Sequence, residues 1–257
     1  MSGILFYKRH YFRQSGIKMS LLADLIMKTV TRKTVADTYH ALIRHLVGMM
    51  DARPEKVFHF AFSGGESLWP LFDIWANDYR SVTPWNRMRI YWADERYVPA
   101  EHSDSHYGAL KRLLLSKADI PSACVYPVIY GQRWGAGREA ERYAVMTAAV
   151  VPSVQGSPVF DAVLLGIEAD GRVASIYPGQ EHLLASPKAY VSCTNPYTGQ
   201  PCVTMTGTTL LAASQLVLLA AGEGCRKVVD DILHSGDTSP MAYIAHHAAD
   251  VVLFMEG

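Results

Sequence analysis

Cysteine is scarce in this chain, and the four that occur form no C-x-x-C pair. Cys124, Cys193, Cys202 and Cys225 therefore outline neither a zinc ribbon nor a thioredoxin-like redox motif. A chain of 257 residues needs no disulfide staples, so reduced thiols in a cytoplasmic protein are expected. Long apolar runs are also missing; none reaches the roughly 20 residues of a membrane span. Net charge is absent: 24 basic and 24 acidic residues cancel, which removes the basic field that nucleic acid would call for. A small neutral or anionic substrate stays compatible, because a local patch binds it without net charge. No Pro/Gly/Ser-rich linker, low-complexity tract or internal repeat divides the chain. The N-terminal MSGILFYKRHYFRQSGIKMS is basic and aromatic but lacks the continuous apolar stretch of a secretory signal, so none is expected in residues 1–30. They read as an N-terminal extension, with Met19 as an alternative start, and residues 31–257 read as a single domain.

Core material is plentiful, with 49% apolar and 19% charged residues, a globular composition. Val35, Tyr39, Leu42, Ile43, Leu46 and Met50 form one stripe at helical spacing, predicting a helix over 34–52. Short apolar runs at 57–62, 89–93, 160–166, near 202–206, at 216–221 and at VVLFM near the end predict strands. Helices are predicted between them at 67–78, 107–116, 137–151, 208–215, 225–234 and in MAYIAHHA, with Ser235-Gly236 as the stop of the 225–234 helix. Pro70 suits the first turn of its helix. This alternation predicts an α/β fold with a mostly parallel sheet and helices on both faces. In such sheets ligands collect at the C-terminal ends of the strands.

Four segments follow apolar strands and carry chemistry. In FSGGESLWP, the turn at Ser63, Gly64 and Gly65 can present backbone amides to an anion at a helix start. Ser63 and Glu66 also have the spacing of a capping box, in which Glu66 stands where an anion would bind. The segment has neither the Lys-Ser/Thr of a P-loop nor the third glycine of a dinucleotide fingerprint, and no G-x-S-x-G occurs. In YWADERYVPAEHSDSHYG, Asp94, Glu95 and Arg96 read on their own as a charged turn. His102, Asp104 and His106 match no standard zinc spacing. In FDAVLLGIEADGRVASIYPG, Asp170-Gly171 makes a tight turn before Arg172 and Ser175, and Glu168 lies four residues before Arg172. In LVLLAAGEGCRKVV, Arg226 and Lys227 can meet an anion or simply sit on an exposed helix.

In combination these motifs are specific. S-G-G after a strand, W-x-D-E-R with a following D-S, and L-G-x-x-x-D-G-x-x-A-S-x-x-P-G occur in this order in the 6-phosphogluconolactonase family, which the chain resembles from about residue 30 onward. That family belongs to the wider group containing glucosamine-6-phosphate deaminase. The resemblance implies a Rossmann-like α/β fold and a cytoplasmic enzyme of the pentose phosphate pathway. It implies hydrolysis of 6-phosphogluconolactone to 6-phosphogluconate with no metal or organic cofactor. A small sugar phosphate or sugar lactone is the implied partner. It places catalysis at Asp170 and at the position of Arg172, where the family carries the base histidine of D-G-H. Substrate binding is implied at Ser63, Gly64, Gly65, Asp94, Arg96, Gly171, Ser175, Arg226 and Lys227.

The chain departs from the family pattern at several of these positions. Arg172 is always protonated and has no acceptor, so it cannot take a proton from water. Glu168 replaces a glycine and Glu66 a serine. Cys202 replaces an arginine and Cys225 a lysine, and His106 replaces the asparagine of D-S-N. Arg172 is expected to pair with Glu168, Asp170 or Glu66. Two readings stay open: a lactonase with another base such as His106 or His182, and a catalytically lapsed relative that binds a sugar phosphate or scaffolds a partner.

Overall fold

The computed structural model describes residues 27–129, 131, 134–154, 156–235 and 239–257. Residues 1–26, with Met19, and Gly236 lie outside the described residues. Strand β1 (Met27–Arg32) starts inside the stretch read as an extension, so residues 27–30 belong to the sheet. Helix α1 (Val35–Asp51) follows, capped by Thr34, whose Oγ1 accepts from the Asp37 amide at 3.0 Å. Its buried stripe includes Tyr39, Leu42, Ile43, Leu46 and Met50, as the apolar spacing predicts.

The chain then runs through β2 (Phe58–Phe62), α2 (Trp69–Asp78), β3 (Met88–Trp92), β4 (Asp94–Arg96), α3 (His106–Leu110) and α4 (Gly135–Val150). A small hairpin of β5 (Ser153–Val154) and β6 (Ser157–Pro158) leads to β7 (Ala162–Gly166), β8 (Tyr190–Thr194) and β9 (Pro201–Met205). The rest is α5 (Gly207–Ala212), β10 (Leu216–Ala220), α6 (Arg226–Asp230), α7 (Pro240–His247) and β11 (Val251–Glu256). The helices predicted over 107–116 and 225–234 each begin as α-helix and finish as a wider π-turn, at Lys111–Leu115 and Asp231–Ser235.

Six described strands form one sheet in the order β1-β11-β10-β7-β2-β3, and every pairing is parallel. All five residues of β10 are buried. Successive strand residues point to opposite faces, so both faces of the sheet are covered there. Each fully buried Leu or Val contributes about 1.5–3 kcal/mol relative to exposure, which is why these runs select the sheet's interior.

A second, antiparallel sheet of order β4-β9-β8 is a correction to the sequence reading. Asp94-Glu95-Arg96 is not a solvated turn but a strand paired with Cys202–Thr204. Ala93 joins the two sheets: its amide donates to the Phe62 carbonyl at 2.9 Å, and its carbonyl accepts from the Met205 amide at 2.6 Å. The charged triplet is thereby fixed where the sheets meet.

Candidate active site

The chain passes from β2 to β3 on one side of the sheet and returns to β7 on the other side of β2. The crevice beyond the C-terminal ends of these three strands is the topological switch point where open α/β sheets place ligands. The loop after β2 supplies Ser63, β4 supplies Asp94, and the loop after β7 supplies Ser175. Ser63 Oγ donates to Asp94 Oδ1 at 2.8 Å, and Ser175 Oγ donates to Asp94 Oδ2 at 2.7 Å. Both oxygens of one buried carboxylate are thus held by hydroxyls from two other loops. Burial pushes the Asp94 carboxyl up, but His106, Arg96 and the two hydroxyls outweigh it and hold the carboxyl below its ordinary value.

Ser63 therefore serves Asp94, and the capping box with Glu66 is not formed. The short turn that starts at Glu66 has Gly65 as its cap and no side-chain cap bond. Nor does Glu66 pair with Arg172. Arg172 Nη1 meets Asp170 Oδ2 at 2.9 Å, and its Nη2 lies 3.4 Å from Glu168 Oε2. The guanidinium also lies 5.7 Å from the centre of the Tyr177 ring. Burial lowers its pKa, but Glu168 and Asp170 outweigh that and the net shift is upward, which takes Arg172 further from any role as a base. Glu168 Oε1 accepts from Ser67 Oγ at 3.0 Å. The expected self-pairing is present, made by Glu168 and Asp170.

A small cavity of about 10 Å³ is lined by Ser63, Asp94, Arg96, His106, Arg172 and Ser175, together with Gly65, Gly166, Glu168, Ala174 and Tyr177. That is about the room one water occupies. Ala174 adopts φ +50°, a left-handed conformation that costs a non-glycine residue about 1–3 kcal/mol. Ser175, just after it, is 1% exposed and bonded to Asp94.

His106 is the residue whose weight the sequence understated. It is 2% exposed, and its Nδ1 lies 2.8 Å from the Asp94 carbonyl oxygen. Its Nε2 is buried with no hydrogen-bond partner. Burial lowers its pKa to about 4 despite the nearby Asp94, so the ring is neutral at pH 7. The ring fits because Gly64 has no side chain: a Cβ there would come within 2.3 Å of His106 Cβ. Gly64→Ala is expected to displace His106 and cost about 1–3 kcal/mol. An unfolding midpoint equal to wild type would show that the ring has slack.

Beneath His106, the Glu95 carboxyl oxygens accept three backbone amides, from Arg96 at 2.9 Å and from His106 and Tyr107 at 2.7 Å each. Burial pushes its carboxyl up to about 8 against the downward pull of those amides. Glu95 therefore ties the 96–107 loop to β4.

Not every residue implied for the site converges on it. Gly64 lies under His106, and Asp170 acts through Arg172. Gly171 supplies the positive φ of the turn, at +71°. Arg226 and Lys227 are exposed on α6 and do not line the cavity. His182 is exposed and outside the cavity lining. His102 and Asp104 are exposed while His106 is buried, so the three do not form a ligand set. The Cys202 and Cys225 thiols are buried, donating to the carbonyls of Gln200 and Gly222; neither supplies positive charge. Arg96 and Arg172 are the basic residues in the cavity wall.

The chain is similar to known proteins along most of its length. The profile of the family described as glucosamine-6-phosphate isomerases/6-phosphogluconolactonase matches residues 31–253. A 6-phosphogluconolactonase of Treponema pallidum is 30% identical over 84% of this chain and 88% of its own length. A 6-phosphogluconolactonase of Synechocystis is 30% identical over 72% of this chain and 75% of its own. The solved 6-phosphogluconolactonase of Trypanosoma cruzi superposes with a TM-score of 0.78 at 25% identity, covering 89% of this chain and 94% of that one. Matched along most of its length in both sequence and fold, the chain belongs to the glucosamine-6-phosphate isomerase/6-phosphogluconolactonase family.

Proposed function

We propose that this protein hydrolyses a sugar-phosphate lactone of the 6-phosphogluconolactone type, in the cytoplasm and as a step of pentose phosphate metabolism. The observation that carries this reading is the Ser63–Asp94–Ser175 network, which gathers three strand-end loops around one ionised carboxylate with Arg96, Arg172 and His106 in the same wall. Lactone opening needs a water activated for attack and positive charge where the carbonyl oxygen becomes an oxyanion. Arg172 and Arg96 can supply that charge, and no step requires a metal or organic cofactor. A cavity of about 10 Å³ holds a water rather than a six-carbon phosphate ester, and the Arg172 bridge to Glu168 and Asp170 forms part of its wall.

That bridge also favours the second reading, a lapsed relative that binds a sugar phosphate without turning it over. Lactone hydrolysis followed above the spontaneous rate separates the two. Micromolar protein that adds nothing to that rate overturns the hydrolase reading, and calorimetry with 6-phosphogluconate then distinguishes binder from scaffold. In a turning-over enzyme, Arg172→Gln is expected to lower kcat about 10–100-fold by removing charge at the oxyanion. Its effect on stability is expected to stay within about 1 kcal/mol, because the ion pair is partly exposed. Equal kcat in the variant would remove Arg172 from the chemistry.

A further inference from the structure

The hydrolase reading leaves one gap: the D-G-x position holds an arginine, and a base must come from elsewhere. We infer that His106 Nε2 is the general base that activates the attacking water, an inference that rests on that reading. A carbonyl oxygen only accepts, so the 2.8 Å contact with Asp94 places the proton on His106 Nδ1. In the neutral ring the lone pair is then on Nε2. That atom is buried without a partner, in a side chain that lines the cavity beside Ser63, Ser175 and Arg172. A buried acceptor left unsatisfied costs stability; Nε2 is closed to solvent in this structure, so a small displacement of the cavity wall must bring a water or substrate hydroxyl to it.

The groups around the ring suit a base that becomes briefly charged. The Asp94 carboxylate lies 3.6 Å from Nδ1 and stabilises the imidazolium. Arg96 and Arg172 oppose it; both line the same wall, where positive charge can meet a developing oxyanion. Glu95 Oε1 accepts the His106 amide at 2.7 Å and fixes the backbone from below. Gly64, packed against the ring, brings no titratable group.

The step balances without further reagents. As the water oxygen bonds to the lactone carbonyl carbon, its proton passes to Nε2 and the carbonyl π pair moves to oxygen. When the tetrahedral intermediate collapses, the bond from that carbon to the ring oxygen breaks. The imidazolium returns its proton to the departing alkoxide. The product is a hydroxy acid that ionises in water.

The test compares wild type with His106→Asn, in which the carboxamide can still donate to the Asp94 carbonyl, and with His106→Gln. Circular dichroism and unfolding midpoints report whether each variant folds. With 6-phosphogluconolactone as substrate, His106→Asn is expected to lower kcat about 100-fold, with KM changed less than about threefold. The wild-type rate is expected to hold from neutral pH down toward about 4 and to fall below it, because protonation of Nε2 removes the lone pair. Ring-nitrogen NMR at pH 7 is expected to show a protonated Nδ1 and a bare Nε2. A wild type without turnover overturns the hydrolase reading and this inference together. Turnover that His106→Asn leaves intact, or the opposite tautomer, overturns the inference alone.

Discussion

Glu95→Ala is expected to lower stability by about 3–6 kcal/mol, at 1–2 kcal/mol for each of three backbone amides left without an acceptor. Glu95 is 1% exposed, and the amides of Arg96, His106 and Tyr107 all point at its carboxylate. Glu95 also lines an open cavity of about 280 Å³, so water that enters the gap relieves part of that penalty. For a domain of this size the unfolding midpoint should fall by roughly 10–20 °C. Glu95→Gln should recover only part of the loss, because a carboxamide that keeps its oxygen at the Oε1 position turns its NH2 toward the Tyr107 amide that Oε2 serves. A midpoint within about 2 °C of wild type for Glu95→Ala would show that the 96–107 loop is anchored elsewhere.

The second large effect concerns Asp94. Asp94→Asn preserves shape but removes the charge that holds two hydroxyls and faces the His106 ring. The backbone carbonyl that accepts from His106 Nδ1 is kept, but the carboxylate 3.6 Å from that nitrogen is lost; if His106 is the base, kcat is expected to fall by roughly 10–100-fold. The stability effect depends on pH with a definite sign. Asp94 has a folded pKa below its unfolded value, so its contribution is present above the ordinary carboxylate range. It disappears as pH falls through the folded pKa. Asp94→Asn should therefore be closest to wild-type stability in acid and furthest from it near neutrality. Equal destabilisation at every pH would mean that shape, not charge, holds the network.

Much of this was legible in the residues. Apolar runs and helical stripes placed the parallel sheet, because burial on both faces demands continuous apolar strands and a covered helix demands a 3.6-residue repeat. The Arg172 pairing was also legible, since Glu168 and Asp170 lie within one turn of it. What escaped was non-local. Asp94-Glu95-Arg96 looks like a solvated turn until a second sheet pairs it with Cys202–Thr204, more than a hundred positions away. β8 escaped for the same reason: its alternating polar residues become a strand only beside β9. Ser63 and Glu66 fit a capping box locally, but the Asp94 carboxylate competes for the hydroxyl and wins. His106 sat in a polar loop with nothing nearby in sequence to announce its burial; the signal available was the histidine standing where the family pattern has asparagine. Arg226 and Lys227 mislead in the opposite direction, because basic residues after a glycine turn look the same on an exposed helix.

The pairing of β1 with β11 has a consequence for how the chain acquires its fold. Met27 is set beside Val251 and Arg32 beside Glu256, so the first and last described strands are neighbours. β11 is itself held on its other side by β10, whereas β1, at the sheet's edge, has β11 as its partner strand. Of the described strands, the one made first therefore lacks its partner until the one made last has docked. Assembly of the sheet runs against chain order, and closing so long a loop slows it. Until then β1 lacks its partner among the described strands and is open to strands of other chains. The period between synthesis of β1 and arrival of β11 is accordingly one in which this protein is exposed to misassembly.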